Sequence, residues 1–351
     1  MNKINFDKKI KDGYYIADYF KKTSLIINNE FPNSIVTMQF FQRKNNITLS
    51  GINEVIQLLE FACKDYKNLK IWALKDGDII NANEPVLKIE GNYSSFGWLE
   101  GMIDGILARN SCIATNSSKI VKAANGKPVL NMMDRADSYL TLPSDGYSSW
   151  VGGIKLFVTE ASVELIDDSS VPKPSGTMPH ALIQAFDGDI LKATEAFYRN
   201  FPESNLLSLV DYNNDCVRDS VKVANHFKEK LWAIRIDTSG NLIDKYLEEN
   251  RNKYPENANL YGVNQYLIKE VRKALDESGN KHVKIIVSSG LTEEKIKEFE
   301  NNNTPVDIYG VGGYLAKIDN NFTGDAVLIN GKEQAKFGRK NIASDRLTQI
   351  K

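Results

Sequence analysis

The chain has 351 residues, 44 of them basic and 45 acidic, for a formal net charge of −1. Hydrophobic residues make up 42% and charged residues 25%, the balance of a soluble globular protein with room for a large core. No apolar run approaches the ~20 residues of a membrane helix, the opening MNKINFDKKIKDGYY has no apolar signal segment, and even charge argues against a dedicated nucleic-acid binder, which needs a basic face. Cys63, Cys112 and Cys216 are scattered without a CxxC, so neither a disulfide framework nor a zinc ribbon fits. The expectation is a cytoplasmic protein of two domains, or one barrel with an appendage.

In chain order, IINNEF and IVTMQFFQR flank a turn at Pro32 and Asn33. GINEVIQLLEFACKDY predicts an amphipathic helix with Val55, Leu58, Leu59 and Ala62 on one face. LKIWALKDGDIINANEPVLKIEGNY predicts strands separated by Asp-Gly and Asn-Glu-Pro turns. Near residue 100 the texture changes to an alternation of helices and short apolar strands. NSSKIVKAANG predicts a short helix stopped by Gly126, followed by the strand PVLNM. LLSLVDY, LWAIRID, VKIIVSSG and VDIYGVGG predict further strands. Between them, DCVRDSVKVANHFKEK, GVNQYLIKEVRKALDESG and LTEEKIKEFE predict helices, with Gly279 just past the end of the second. Short, continuous apolar strands each followed by a helix predict a parallel sheet buried on both faces. Such strands put their functional loops on one rim. The tail TGDAVLINGKEQAKFGRK predicts a hairpin at Asn330-Gly331 that folds back on the first segment.

The strand ends carry the candidate chemistry. PVLNMMDRAD ends in Asp134, Arg135 and Asp137; LWAIRIDTSG in Arg235 and Asp237; KIIVSSG in Ser288, Ser289 and Gly290; DIYGVGG in Gly310, Gly312 and Gly313. Glycine turns ahead of a helix bring backbone N–H groups to a phosphate. Arginine grips phosphate or carboxylate with a two-pronged fork. A strand-end carboxylate accepts from ribose hydroxyls or holds Mg2+. Together they describe a site for a phosphorylated sugar. Taken singly each has a plainer reading: a turn, a helix cap, or an Arg235–Asp237 pair on one strand face. Of the three histidines, His226 at a helix end and His282 in GNKHVK read as structural. His180, in PKPSGTMPHALIQAF, sits at a loop–helix junction facing the rim.

These pieces resemble the nicotinate phosphoribosyltransferase family of type II phosphoribosyltransferases. GTMPHAL (176–182) resembles its histidine motif, and AIRIDT (233–238), KHVKIIVSSGLTEEKI (281–296) and VDIYGVGGYL (306–315) its successive barrel segments. ANEPVLKIEGNY (82–93) and LARNSCIAT (107–115) resemble its domain-junction segment, DGYYIADYF (12–20) its N-terminal element, and AKFGRK (335–340) its terminal motif. The resemblance implies an α/β fold: an irregular (β/α) barrel over 105–315, an N-terminal α/β sandwich over 1–104, and a tail, 316–351, that completes the sandwich. It implies at least a dimer. It implies transfer of phosphoribosyl from 5-phosphoribosyl 1-pyrophosphate to nicotinate, giving nicotinate mononucleotide and pyrophosphate on the way to NAD. ATP would be a co-substrate through a phosphohistidine at His180. Mg2+ would accompany the pyrophosphate, with no residue assigned to it as a ligand. Asp237 would contact the ribose, and Arg135 and Arg235 the pyridine carboxylate or the phosphates. Thr177 would also bind substrate; Ser289, Gly290, Gly312 and Gly313 would cradle the 5′-phosphate. Tyr19 would approach the pyridine ring across a dimer interface. The segment 134–160 departs from the family pattern, which leaves nicotinamide or quinolinate as alternative bases and a catalytically weak regulatory homologue as the alternative class.

Overall fold

The computed structural model describes residues 1–176 and 178–351, so Thr177 lies outside the described residues. Five strands precede residue 100: β1 (Ile35–Phe41), β2 (Ile47–Thr48), β3 (Lys70–Ala73), β4 (Ile79–Ile80) and β5 (Leu87–Asn92). Six follow: β6 (Val129–Asn131), β7 (Leu156–Phe157), β8 (Leu206–Leu209), β9 (Leu231–Ile236), β10 (Lys284–Val287) and β11 (Ile308–Val311). The last three are β12 (Thr323–Ile329), β13 (Lys332–Glu333) and β14 (Thr348–Gln349).

The first sheet has the order β13–β12–β1–β5–β3–β14, with antiparallel neighbours throughout. The chain's last strands therefore belong to the sheet made by its first ones. β12 and β13 form a hairpin in which Ile329 faces Lys332. Its two turn residues, Asn330 (φ 49°) and Gly331 (φ 76°), both adopt the left-handed conformation that a tight two-residue turn demands. One face of this sheet packs on the helix Ile52–Ala62, whose Val55, Leu58, Leu59 and Ala62 are all buried.

The second sheet has the order β7–β6–β11–β10–β9–β8, and every pair in it is parallel. Helices return the chain between strands, among them Cys216–Phe227, Gln265–Glu277 and Glu293–Asn301. Gly279 (φ 83°) ends the second of these. β7 and β8 are the edges, with no hydrogen-bonded pairing between them among the described residues. The strands alternate between two apolar layers. Ile234, Ile236, Ile285 and Val287 join the large core under the helices, while Leu130, Leu207, Ala233, Ile286 and Ile308 form a smaller cluster on the opposite face.

The largest difference from the sequence reading is the helix Glu100–Ala123, which runs 24 residues in place of the short one expected over 116–126. At 1.5 Å per residue it spans about 36 Å, long enough to serve both cores. Ile103 and Leu107 pack in the N-terminal core and Ile113, Ile120 and Ala123 in the other. Its polar middle disguised it, and that middle has partners. Thr115 Oγ1 accepts from Thr48 N (3.0 Å), Ser111 Oγ from Ser50 N (3.1 Å), and Asn110 Nδ2 donates to Glu54 (2.8 Å). Among the described residues no helix is long and apolar enough to cross a membrane.

Candidate active site

The inner face of the parallel sheet changes character along each strand. In β9, Ala233 belongs to the small apolar cluster; Arg235, two residues on, points the same way; Asp237 follows past the strand end. β10 runs Ile286, then Ser288; β11 runs Ile308, then Gly310 and Gly312; β6 runs Leu130, then Met132 and Asp134. An apolar floor thus gives way to a polar layer at the carboxyl ends. Above that layer lies a cavity of about 890 Å3. It is lined by Arg135, His180, Arg235, Asp237, Ser289, Gly290, Gly312 and Gly313, so these expected site residues share one chamber although their positions span nearly 180 residues of sequence.

Arg235 is the site's central charge. It is 7% exposed, and its Nε is buried without a hydrogen-bond partner. The neighbouring carboxylate Asp237 stands 3.9 Å away, at the edge of ion-pair range. Burial pushes the guanidinium's pKa down, and Asp237 and Asp211 pull it back up. A cation held this way is poorly satisfied by the protein, and an anionic ligand with a matching fork would complete it. Asp237 is fixed from its other side, where Oδ1 accepts from Ser288 Oγ at 2.6 Å. The parallel register places these two residues side by side: Arg235 pairs with Ile286, and Ser288 N donates to Ile236 O.

The turns that follow β10 and β11 are built for close approach. Ser289 (φ 72°) and Gly290 (φ 63°) are both left-handed, a strained conformation for serine. They lead to Thr292, whose Oγ1 accepts from Lys295 N and caps the helix Glu293–Asn301. The positive end of that helix faces the cavity. A Cβ at Gly312 would come within 2.6 Å of the Met132 carbonyl oxygen, so only glycine lets β11 and the end of β6 meet there.

His180 opens the helix His180–Ala185, directly after Pro179. Its side chain is 45% exposed, and Nε2 lies 3.0 Å from Asp211 Oδ2. Asp211 is two residues beyond β8, with its other carboxylate oxygen buried and unpartnered. Burial raises the Asp211 carboxyl above its ordinary range, while His180 acts in the opposite direction. Sequence reasoning passed over Asp211, although the same strand-end position that singled out Asp237 would have found it. It also passed over Lys317 and Tyr314, which line the cavity just past the Gly312–Gly313 turn, with Lys317 Nζ 5.0 Å from the Tyr314 ring centre.

Tyr19 is not brought to this cavity. It lies 65% exposed on the helix Asp18–Glu30. His282 Nε2 is 3.1 Å from Lys228 O, and neither it nor His226 lines the cavity. Among the described residues no group of three or more His, Cys, Asp or Glu side chains is placed to hold a metal ion.

Fold and site together define an α/β protein with a cavity, lined by Arg135, Arg235 and glycine-bearing turns, over the carboxyl ends of a parallel sheet. Comparison with known proteins narrows the class. Residues 19–111 match the family model for the quinolinate phosphoribosyl transferase N-terminal domain. The nicotinate-nucleotide pyrophosphorylase structure from Pyrococcus furiosus is 31% identical with a TM-score of 0.79, covering 96% of this chain and 80% of that one. A nicotinate phosphoribosyltransferase of Mycobacterium tuberculosis is 27% identical over 251 residues, which is 70% of this chain and 48% of that protein. The chain thus spans about half the length of the curated relatives it matches. Human nicotinic acid phosphoribosyltransferase shares the fold at 16% identity, with a TM-score of 0.68 over 91% of this chain and 76% of that one. The chain belongs to the type II phosphoribosyltransferase family.

Proposed function

We propose that the chain is a nicotinate phosphoribosyltransferase. It transfers the phosphoribosyl group of 5-phosphoribosyl 1-pyrophosphate to nicotinate, yielding nicotinate mononucleotide and pyrophosphate, and couples this to ATP hydrolysis. The observation that carries the reading is the buried, unsatisfied Arg235 in a cavity also lined by the turns at 289–290 and 312–313. In this reading the parallel sheet is the wall of an irregular barrel.

The 5′-phosphate sits between the two turns, against backbone N–H groups and the start of the helix Glu293–Asn301. Asp237 accepts from the ribose hydroxyls. Arg235 and Arg135 meet the nicotinate carboxylate or the phosphates with fork-shaped contacts. The pyridine nitrogen bonds to ribose C1 as the C1–O bond to pyrophosphate breaks. Positive charge develops on the ring sugar, and the chain's part is alignment and charge stabilisation. Mg2+ neutralises pyrophosphate when bound. Asp134 and Asp237 offer hard carboxylate oxygens in the cavity, which suits an ion that keeps water and phosphate ligands and needs no protein cage.

His180 takes the γ-phosphoryl group of ATP. With Nε2–H donated to Asp211, Nδ1 carries the lone pair that attacks phosphorus as ADP leaves. Asp211 holds the ring's orientation and balances the charge of the phosphorylated imidazole. Tyr19 acts in a homodimer, reaching the cavity of the second copy. The exposed Tyr14, Tyr15, Leu25, Ile26 and Phe31 around it support an apolar face that a second copy covers. Mixing Tyr19→Ala and His180→Ala chains should then restore ATP-coupled synthesis that neither shows alone, because one mixed site is intact. A mixture as inactive as its components would place Tyr19 outside the site.

A base panel tests the reaction itself. Nicotinate should be turned over in preference to nicotinamide and quinolinate, because Arg235 favours a carboxylate while a dicarboxylate needs a denser basic cluster. Turnover of quinolinate with loss of CO2 would favour the second reading, which the match of residues 19–111 keeps in view. No product with any base would favour a regulatory homologue.

A further inference from the structure

The connection that carries Asp134 and Arg135 into the cavity is tied down by one side chain from a different element. Arg109 lies midway along the helix Glu100–Ala123, with its side chain 25% exposed. Its Nε donates to Asp145 Oδ1 and its Nη2 to Asp145 Oδ2, both at 2.8 Å, a two-pronged fork. The same Nη2 is 2.8 Å from Asp137 Oδ2 and donates to Thr141 Oγ1 at 3.3 Å. Thr141 itself donates to Asp145 Oδ2 at 2.8 Å. One guanidinium therefore grips residue 137, two places past Arg135, then residue 141, then residue 145 on the helix Leu142–Val151.

The two ends of this brace differ. Asp145 is 1% exposed, and a carboxylate buried so deeply needs its counter-ion. Helix Leu142–Val151 is also held by close packing: a Cβ on Gly146 would sit 1.9 Å from the Ser162 carbonyl oxygen. The other end, at Asp137, is exposed. Met133 and Ala136 seat the turn around Arg135 on the core, and the arm from Arg109 ties down the exposed chain that leaves it. Arg109 does not itself line the cavity.

We infer that Arg109 is a positioning residue for phosphoribosyl transfer: by anchoring 137–145 it aims Arg135 at the substrates without touching them. The inference rests on the reaction proposed above. Lysine cannot replace it, because an ammonium lacks the rigid fork that serves three acceptors at once.

The test is a double-mutant cycle. Arg109→Lys keeps the charge and loses the fork. Asp137→Ala cuts only the exposed arm and leaves the buried Arg109–Asp145 pair in place, so it provides a folded variant if Arg109→Lys is unstable. Each is made alone and with Arg135→Ala, and kcat, KM and the thermal midpoint are measured. With Arg135 present, each change should lower kcat/KM by about tenfold to a hundredfold, the scale of a misplaced contact group. With Arg135→Ala in the background, the same change should alter kcat/KM by no more than about twofold, as expected when two residues act through one contact. Equal losses in both backgrounds, or no loss from Asp137→Ala, would overturn the assignment. The same cycle read by calorimetric binding of phosphoribosyl pyrophosphate separates the two questions. A chain that turns over no base counts against the reaction, whereas additive binding losses count against Arg109.

Discussion

Replacing His180 with alanine should abolish ATP cleavage and leave slow, ATP-independent nucleotide synthesis in place. The half-exposed imidazole lines the cavity; in the proposed reading it lies outside the contacts that align ribose C1 with the pyridine nitrogen, so the carbon–nitrogen step would proceed without it. The proposed ATP hydrolysis would need it, because no other imidazole lines the chamber among the described residues. The ATPase rate should fall by about 10³-fold or more, the scale of losing a nucleophile that nothing replaces. Phosphoenzyme labelled from γ-32P-ATP should vanish with it. Asp211→Asn should fall short of this, since the ring stays but loses the carboxylate that orients it and balances its charge. Retained ATP cleavage in His180→Ala would remove the phosphohistidine from the account.

Arg235 carries the second large effect. Arg235→Ala deletes a buried cation that the protein itself leaves partly unsatisfied. The loss should be roughly 2–5 kcal/mol of charge-assisted binding, or about 30- to 5,000-fold in kcat/KM. Arg235→Lys should recover only part of it, since the charge returns without the fork. Stability should move the other way. Arg235→Met fills the site with hydrocarbon and removes a desolvated charge, so its thermal midpoint should stay level or rise. An unchanged kcat/KM in Arg235→Ala would take this residue out of the site, whatever the melting curve does.

Much of the site is legible in the sequence because its residues obey a local rule. In β9, β10 and β11 the apolar run is short and unbroken, and the residues just past its end fall on the rim. That rule brought Arg235, Asp237, Ser289, Gly290, Gly312 and Gly313 to one chamber. It would also have found Asp211, whose importance comes from His180, 31 positions earlier in the chain, and a pairing at that distance leaves no mark on periodicity. The long helix was misjudged for a related reason. Gly101, Gly105, Asn110 and Ser111 resemble an interruption when read locally. The polar pair faces partners in the 48–54 segment, and burial with hydrogen bonds overrides weak helix propensity. Arg109 was hidden with them. Tyr19 shows the opposite limit: its motif resembles a site element, yet within one chain it stays far out on an exposed helix.

The most direct measurement is a crystal structure of the chain with 5-phosphoribosyl 1-pyrophosphate and Mg2+. The account predicts the 5′-phosphate between the turns at 289–290 and 312–313, ribose hydroxyls on Asp237, and the pyrophosphate directed toward the side of the chamber that bears His180. A phosphoribosyl group seated elsewhere, with the chamber between Arg235 and those turns left to water, would contradict it.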